Sequence, residues 1–332
     1  MSQQERPPGA PGAMAPGPAY DRVEGSAAEP GATQGPSAGR AAPMGRVFAV
    51  VNQKGGVGKT TTAVNLAASF AASERSTLLV DFDPQANATS AFGLAGSSPH
   101  VYDALSGECV MKGMTRGTEL RYLHVVPSGR DLYGAEVELV SAISRERRLE
   151  RALAEIREDY ELVVIDCPPS LGLLTLNALA AADRVIVPLQ CEYYALEGLA
   201  GLMETVELVR RELNPGLAIE GVLLTMADAR NNLSRQVEEE VRRHFGEQVF
   251  RTLIPRNVRL SEAPSHGKPV LLYDVHSKGA TAYLELAAEV LGRLPAPQPP
   301  TPPPSPAFPA PEPQASDAVP EPEAEPAGGT PS

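Results

Sequence analysis

Tryptophan is absent, and the only cysteines, Cys109, Cys167 and Cys191, share no short metal-ligand spacing. That scatter argues against a disulfide framework and against a zinc or iron–sulfur module, and it suits a reducing compartment where thiols stay free. Cys167 lies beside an aspartate, but without a paired cysteine or a basic partner motif it reads as a small buried residue. The histidines, His100, His124, His244, His266 and His276, are equally dispersed and form no metal motif. No stretch approaches the roughly 18 apolar residues of a membrane span. The first residues lack the basic segment, apolar run and cleavage site of a secretory signal. The expectation is a soluble, cytoplasmic protein with no membrane partner. Positive charge is also short, with 29 Lys and Arg against 41 Asp and Glu, a net of −12. A protein coated in cations is excluded, so any nucleic-acid contact must come from a local patch.

Proline is abundant but unevenly spread. Of 33 prolines, 8 lie in residues 1–45 and 15 in residues 295–332. Both ends are poor in bulky apolar residues and cannot bury enough surface to offset chain entropy. The expected organisation is a disordered Pro/Gly/Ala-rich tail over 1–45, one globular domain over 46–294, and a disordered acidic Pro-rich tail over 295–332. The segment "PQPPTPPPSPAFPAPEP" favours extended polyproline II and reads as a linker or accessory tail.

From Arg46 the pattern changes. Apolar runs "RVFAVVNQ", "STLLVDFDPQ", "YLHVVPS", "YELVVIDCPPS", "DRVIVPLQ" and "IEGVLLTM" alternate with stretches of helical spacing. The helix-like stretches span 141–158, 172–182, 195–213, 231–246 and 279–293. Strands apolar on both faces and separated by helices indicate an α/β fold with a mainly parallel sheet covered on both sides. Such sheets bind ligands at the carboxyl ends of their strands, where this chain clusters its acids and glycines.

The stretch "VVNQKGGVGKTTT", residues 50–62, follows the first strand and opens a helix. The usual phosphate-loop pattern G-x-x-x-x-G-K-[ST] fails at its first glycine, which is Gln53, yet its working parts remain. Gly55, Gly56 and Gly58 let the backbone aim N–H groups at phosphate oxygens. The helix beginning near Lys59 adds its positive end. Lys59 would neutralise β/γ-phosphate charge and the Thr60 hydroxyl would ligate Mg²⁺. Val57 and Thr61 complete the run of nucleotide-contacting positions. "LLVDFDP" sets Asp81 and Asp83 near the end of the second strand, two apart and so on one side. Asp83 is expected to position the attacking water, whereas Asp81 either joins it or caps a turn. Asp166, at the end of "VVID", takes the place that holds Mg²⁺ through water.

"KGGVGKTTT", "DFDPQANATS", "DCPPSLGLLTLNAL", "QCEYYALEGL" and "IPRNVRLSEAPSHGKPVLLYD" resemble the ParA/Soj partition ATPases, a deviant-Walker class that also includes MinD. The resemblance spans about 46–293. It implies a three-layer P-loop NTPase fold, hydrolysis of ATP to ADP and phosphate with Mg²⁺, and an ATP-dependent homodimer. In that family the lysine matching Lys54 crosses the dimer interface to the other subunit's phosphates. Lys54 thus joins Lys59 and Asp83 as a catalytic candidate. The resemblance further implies that Pro255 and Asn257 border the adenine. The loop 166–170 is expected to change shape with the γ-phosphate. One departure stands out: Ala86 occupies a position where the family commonly has glycine, unwelcome if the backbone there needs positive φ.

Arginines concentrate between 230 and 268, offset by neighbouring acids such as Glu238, Glu239 and Glu240. By resemblance, Arg230 and Arg259 contact DNA phosphates. Such contacts carry little sequence information, so binding is expected to be non-specific and salt-dependent. The implied function is DNA segregation, nucleoid-associated, with a ParB-like centromere-binding protein stimulating hydrolysis. The alternative keeps the ATPase and changes the cargo to a protein assembly or polarity complex. A MinD-like membrane cycle is disfavoured by an acidic tail where a basic amphipathic helix would be needed.

Overall fold

The computed structural model describes residues 45–192, 195–228 and 230–294. Seven strands form one sheet: β1 (Arg46–Val50), β2 (Thr77–Asp81), β3 (Arg116–Gly117), β4 (Leu123–Val126), β5 (Leu162–Asp166), β6 (Arg184–Gln190) and β7 (Ala218–Thr225). Their spatial order is β3-β4-β2-β5-β1-β6-β7, and only β3 runs antiparallel. The helices are α1 (Lys59–Ala72), α2 (Asn87–Ser90), α3 (Val101–Ser106), α4 (Leu132–Glu138), α5 (Arg148–Ala154) and α6 (Leu173–Ala181). They continue with α7 (Ala195–Glu212), α8 (Asn232–Phe245), α9 (Val258–Glu262), α10 (Val270–Tyr273) and α11 (Lys278–Arg293).

Strand alternation divides the interior into two cores. Val47, Ala49 and Val51 face one, with Leu105, Leu149, Leu174, Leu202 and Val237 from α3, α5, α6, α7 and α8. Phe48 and Val50 face the other, with Leu66 and Phe70 of α1 and Leu286 and Val290 of α11. Both faces of the sheet are therefore covered, which is why the central strands read as unbroken apolar runs. The expected three layers are present.

Four of the five expected helices lie within a residue or so of their predicted ends. The fifth, over 141–158, is interrupted: α5 keeps only Arg148–Ala154, flanked by 3₁₀ turns at Arg145–Arg147 and Arg157–Asp159. Ser144 sits at φ 52°, in the left-handed region, which stops a continuous helix from starting earlier. The tails expected at 1–45 and 295–332 lie outside the described residues, apart from Gly45. Among the described residues no helix is long and apolar enough to cross a membrane.

Candidate active site

The carboxyl ends of β1, β2 and β5 meet at one edge of the sheet, with Val50 opposite Asp166 and Asp81 opposite Asp166 in register. The glycine loop leaves β1 and enters α1 at this edge. Gly56 and Gly58 take φ 74° and 88°, conformations that side chains resist. Gly58 is the N-cap of α1 and offers no side chain to the first helical N–H groups, leaving them directed at whatever stands before the helix. Val57 is buried, and its carbonyl accepts a hydrogen bond from Thr225 Oγ at 2.9 Å, tying the loop to the end of β7. Asn52 anchors the loop's start: its amide donates to Pro188 O at 2.7 Å and its side-chain oxygen accepts from Lys54 N at 2.9 Å. Nothing in the sequence singled out Asn52; a polar residue directly after an apolar strand was the available signal.

Lys59 is only 7% exposed and its ammonium donates to Lys54 O at 3.0 Å. Burial lowers its pKa, opposed by the neighbouring acidic groups, Asp166 first. Asp166 is fully buried, and no hydrogen bond of standard geometry reaches either carboxylate oxygen. Burial, then the nearby Asp81 charge, pushes its pKa well up; the Thr60 hydroxyl beside it and Lys59 offset only part. A buried, unpartnered carboxylate beside a helix N-terminal hydroxyl fits a divalent cation that brings its other ligands with it. A metal held by protein alone does not fit: among the described residues no three His, Cys, Asp or Glu are placed to hold one.

The two aspartates of "LLVDFDP" have different duties. Asp81 Oδ2 accepts from both the N–H and hydroxyl of Thr89 at 2.7 Å, and its Oδ1 accepts from Asp83 N at 3.2 Å. It pins the turn after β2, as its capping alternative required, and burial raises its pKa to about 6. Asp83 accepts one bond, from Gln85 N at 2.9 Å, and its backbone carbonyl accepts from Ser128 Oγ at 2.8 Å. Thr89 and Ser128 thus frame the segment carrying Asp83, a support the sequence did not disclose. Ala86 does take the left-handed conformation, φ 52° and ψ 36°.

Asn257 caps α9 through Oδ1, accepting from Arg259 N at 2.8 Å, which leaves its side-chain NH₂ free of that bond. Pro255 bridges Ala227 beyond β7, next to the Thr225–Val57 tie. Pro255 and Asn257 therefore lie on the loop's β7 side. Lys54 is exposed and its ammonium meets Glu192 Oε2 at 2.6 Å. Arg230 and Arg259 are both exposed and both paired: Arg230 with Asp228 at 3.1 Å, Arg259 with Glu262 at 2.8 Å and Asp274 at 3.2 Å.

A family model described as an AAA domain matches residues 45–219. The chain is 58% identical over 254 residues to the chromosome partitioning protein ParA of Myxococcus xanthus, covering 76% of this chain and 90% of that one. It is 57% identical over 249 residues to the sporulation initiation inhibitor protein Soj of Bacillus subtilis, covering 74% and 98%. This chain belongs to the ParA/Soj family. A solved structure called cobyrinic acid a,c-diamide synthase from Mycobacterium smegmatis, with bound ADP and magnesium, superposes on this ParA/Soj member with a TM-score of 0.66. It is 39% identical and covers 75% of this chain and 94% of that one. The cell division ATPase MinD of Pyrococcus furiosus superposes with a TM-score of 0.64 at 25% identity, over 75% and 99%.

Proposed function

We propose that this ParA/Soj member hydrolyses ATP with Mg²⁺ to drive DNA segregation, pairing with itself around the nucleotide. The observation that carries this reading is 57% identity with Soj across 98% of that protein's length. The geometry described above supports it. The N–H groups of Gly55, Gly56, Val57, Gly58, Lys59, Thr60 and Thr61 surround the phosphates, and Pro255 and Asn257 border the base. Lys59 neutralises the phosphate chain, while Thr60 and Asp166 hold the cation, Asp166 through water. Mg²⁺ supplies charge neutralisation at the phosphate oxygens. Asp83 orients a water for attack on the γ-phosphorus as the bond to ADP breaks.

Lys54 of each protomer contacts the phosphates bound by the other, so the triphosphate becomes part of the interface and its hydrolysis weakens the pair. The paired form doubles the count of phosphate-binding arginines, Arg230 and Arg259 included, and binds DNA without sequence preference in the nucleoid. A ParB-like protein bound at a centromere stimulates hydrolysis and releases the pair. Sedimentation with and without DNA tests this, using ADP, ATP and a non-hydrolysable analogue with Mg²⁺. The analogue is expected to double the sedimenting mass and carry the protein down with DNA, and ADP to do neither. Equal behaviour with ADP and analogue overturns the reading.

A further inference from the structure

Both side chains immediately ahead of the glycine loop are held by the chain that follows β6, Gln53 by α7 itself and Lys54 by Glu192 just before that helix. Gln53, which stands where a phosphate loop normally has its first glycine, donates from Nε2 to Gly198 O at 2.8 Å. The approach is close: a Cβ at Gly201 would meet that same nitrogen at 3.3 Å. Lys54 donates to Glu192 Oε2 at 2.6 Å. Its own carbonyl accepts from Lys59 Nζ at 3.0 Å, so the two lysines of the motif are linked through one peptide unit.

We propose that Glu192 is a resting partner that keeps Lys54 on its own subunit, and that this ion pair opposes nucleotide-dependent self-association. The proposal rests on the cross-subunit role of Lys54 given above. An ammonium seated 2.6 Å from Glu192 Oε2 is drawn toward its own subunit and has part of its charge offset there, and both effects oppose its reaching a phosphate held by another protomer. Pairing therefore exchanges a carboxylate for a phosphate. The pair is suited to exchange because its side chains are 42% and 48% exposed, in the range where ion pairs are weak and water stabilises the separated charges. Gln53 anchors the loop to α7 meanwhile, confining the exchange to the lysine side chain. Lys59 supplies the coupling. A phosphate oxygen that takes the Lys59 ammonium competes with the Lys54 carbonyl, removing one tether from the residue that must swing away.

The test is Glu192→Gln, which keeps the shape and removes the charge. An exposed pair shifts an equilibrium roughly 1.4- to 5-fold, and two such pairs open per dimer. Sedimentation equilibrium with a non-hydrolysable ATP analogue and Mg²⁺ is expected to show pairing about 2- to 25-fold tighter than wild type. ADP affinity should stay within about twofold, because the monomer's own phosphate contacts are untouched. In a Lys54→Ala background the same substitution should change nothing. A wild type that pairs while Glu192→Gln pairs no better overturns the proposal, as does a gain that persists without Lys54. A wild type that stays monomeric overturns the pairing itself, and this proposal with it, so the two failures are told apart.

Discussion

Asp166 is held at a cost that folding alone does not require. Its carboxylate is fully buried with no standard hydrogen-bond partner, so neutralising it should relieve the free protein. Asp166→Asn is expected to raise ligand-free stability by about 1 kcal/mol or more, or roughly 2–4 °C in melting temperature, while weakening Mg²⁺-dependent nucleotide binding. Calorimetry with and without Mg²⁺ and nucleotide separates the two effects. Asp81 makes a prediction with a sign. Its pKa rises from 3.8 to about 6 on folding, so between those values the folded chain binds more protons than the unfolded one. Asp81 therefore makes stability fall as pH climbs through that window, with the full cost present above about 6. Denaturant titrations from pH 4 to 7 should show Asp81→Asn gaining on wild type as pH rises; a constant difference would contradict the assignment. Ala86 gives a third. Left-handed backbone costs an alanine about 1 kcal/mol, so Ala86→Gly should stabilise the turn by about that amount, read from the same titrations.

The central strands and longer helices were legible because each buries a continuous stripe or both its faces, leaving a period that composition preserves. α8 and α11 even announce their starts, Asn231 accepting from Leu233 N and Ser277 from Ala280 N. What stayed hidden is short or held from a distance. β3 has two residues and α2 four, too few to show a period. The glycine loop, Asp83 and Asp166 were readable because local spacing fixes them. Asn52, Thr89 and Ser128 were not, since their roles exist only once Pro188, Asp81 and Asp83 come into reach. Gly221 belongs to this second kind. It sits within β7, and a Cβ there would meet Phe250 at 2.7 Å and the Gln248 carbonyl at 2.9 Å. Since backbone cannot yield as a side chain can, Gly221→Ala should cost about 1–3 kcal/mol in equilibrium unfolding.

For the whole molecule, charge is the deciding quantity. The chain carries a net −12, so its average field repels DNA rather than steering it inward. The two arginines proposed to contact DNA are each already paired with carboxylates on their own surface, so a phosphate would compete with Asp228, Glu262 and Asp274 for them. Such exchange would gain little per residue, so the proposed DNA binding calls for the arginines of both protomers together. If Arg230 and Arg259 act on both protomers, about four phosphates are neutralised, and log affinity should fall against log salt with a slope near −3.6. Arg259→Glu removes two of these contacts per pair and should bring the slope to about −1.8 or shallower, while leaving analogue-dependent pairing intact. Fluorescence anisotropy on DNA of unrelated sequences, across a salt series with the analogue present, measures both. A slope unchanged by Arg259→Glu would place the DNA contact on some other face.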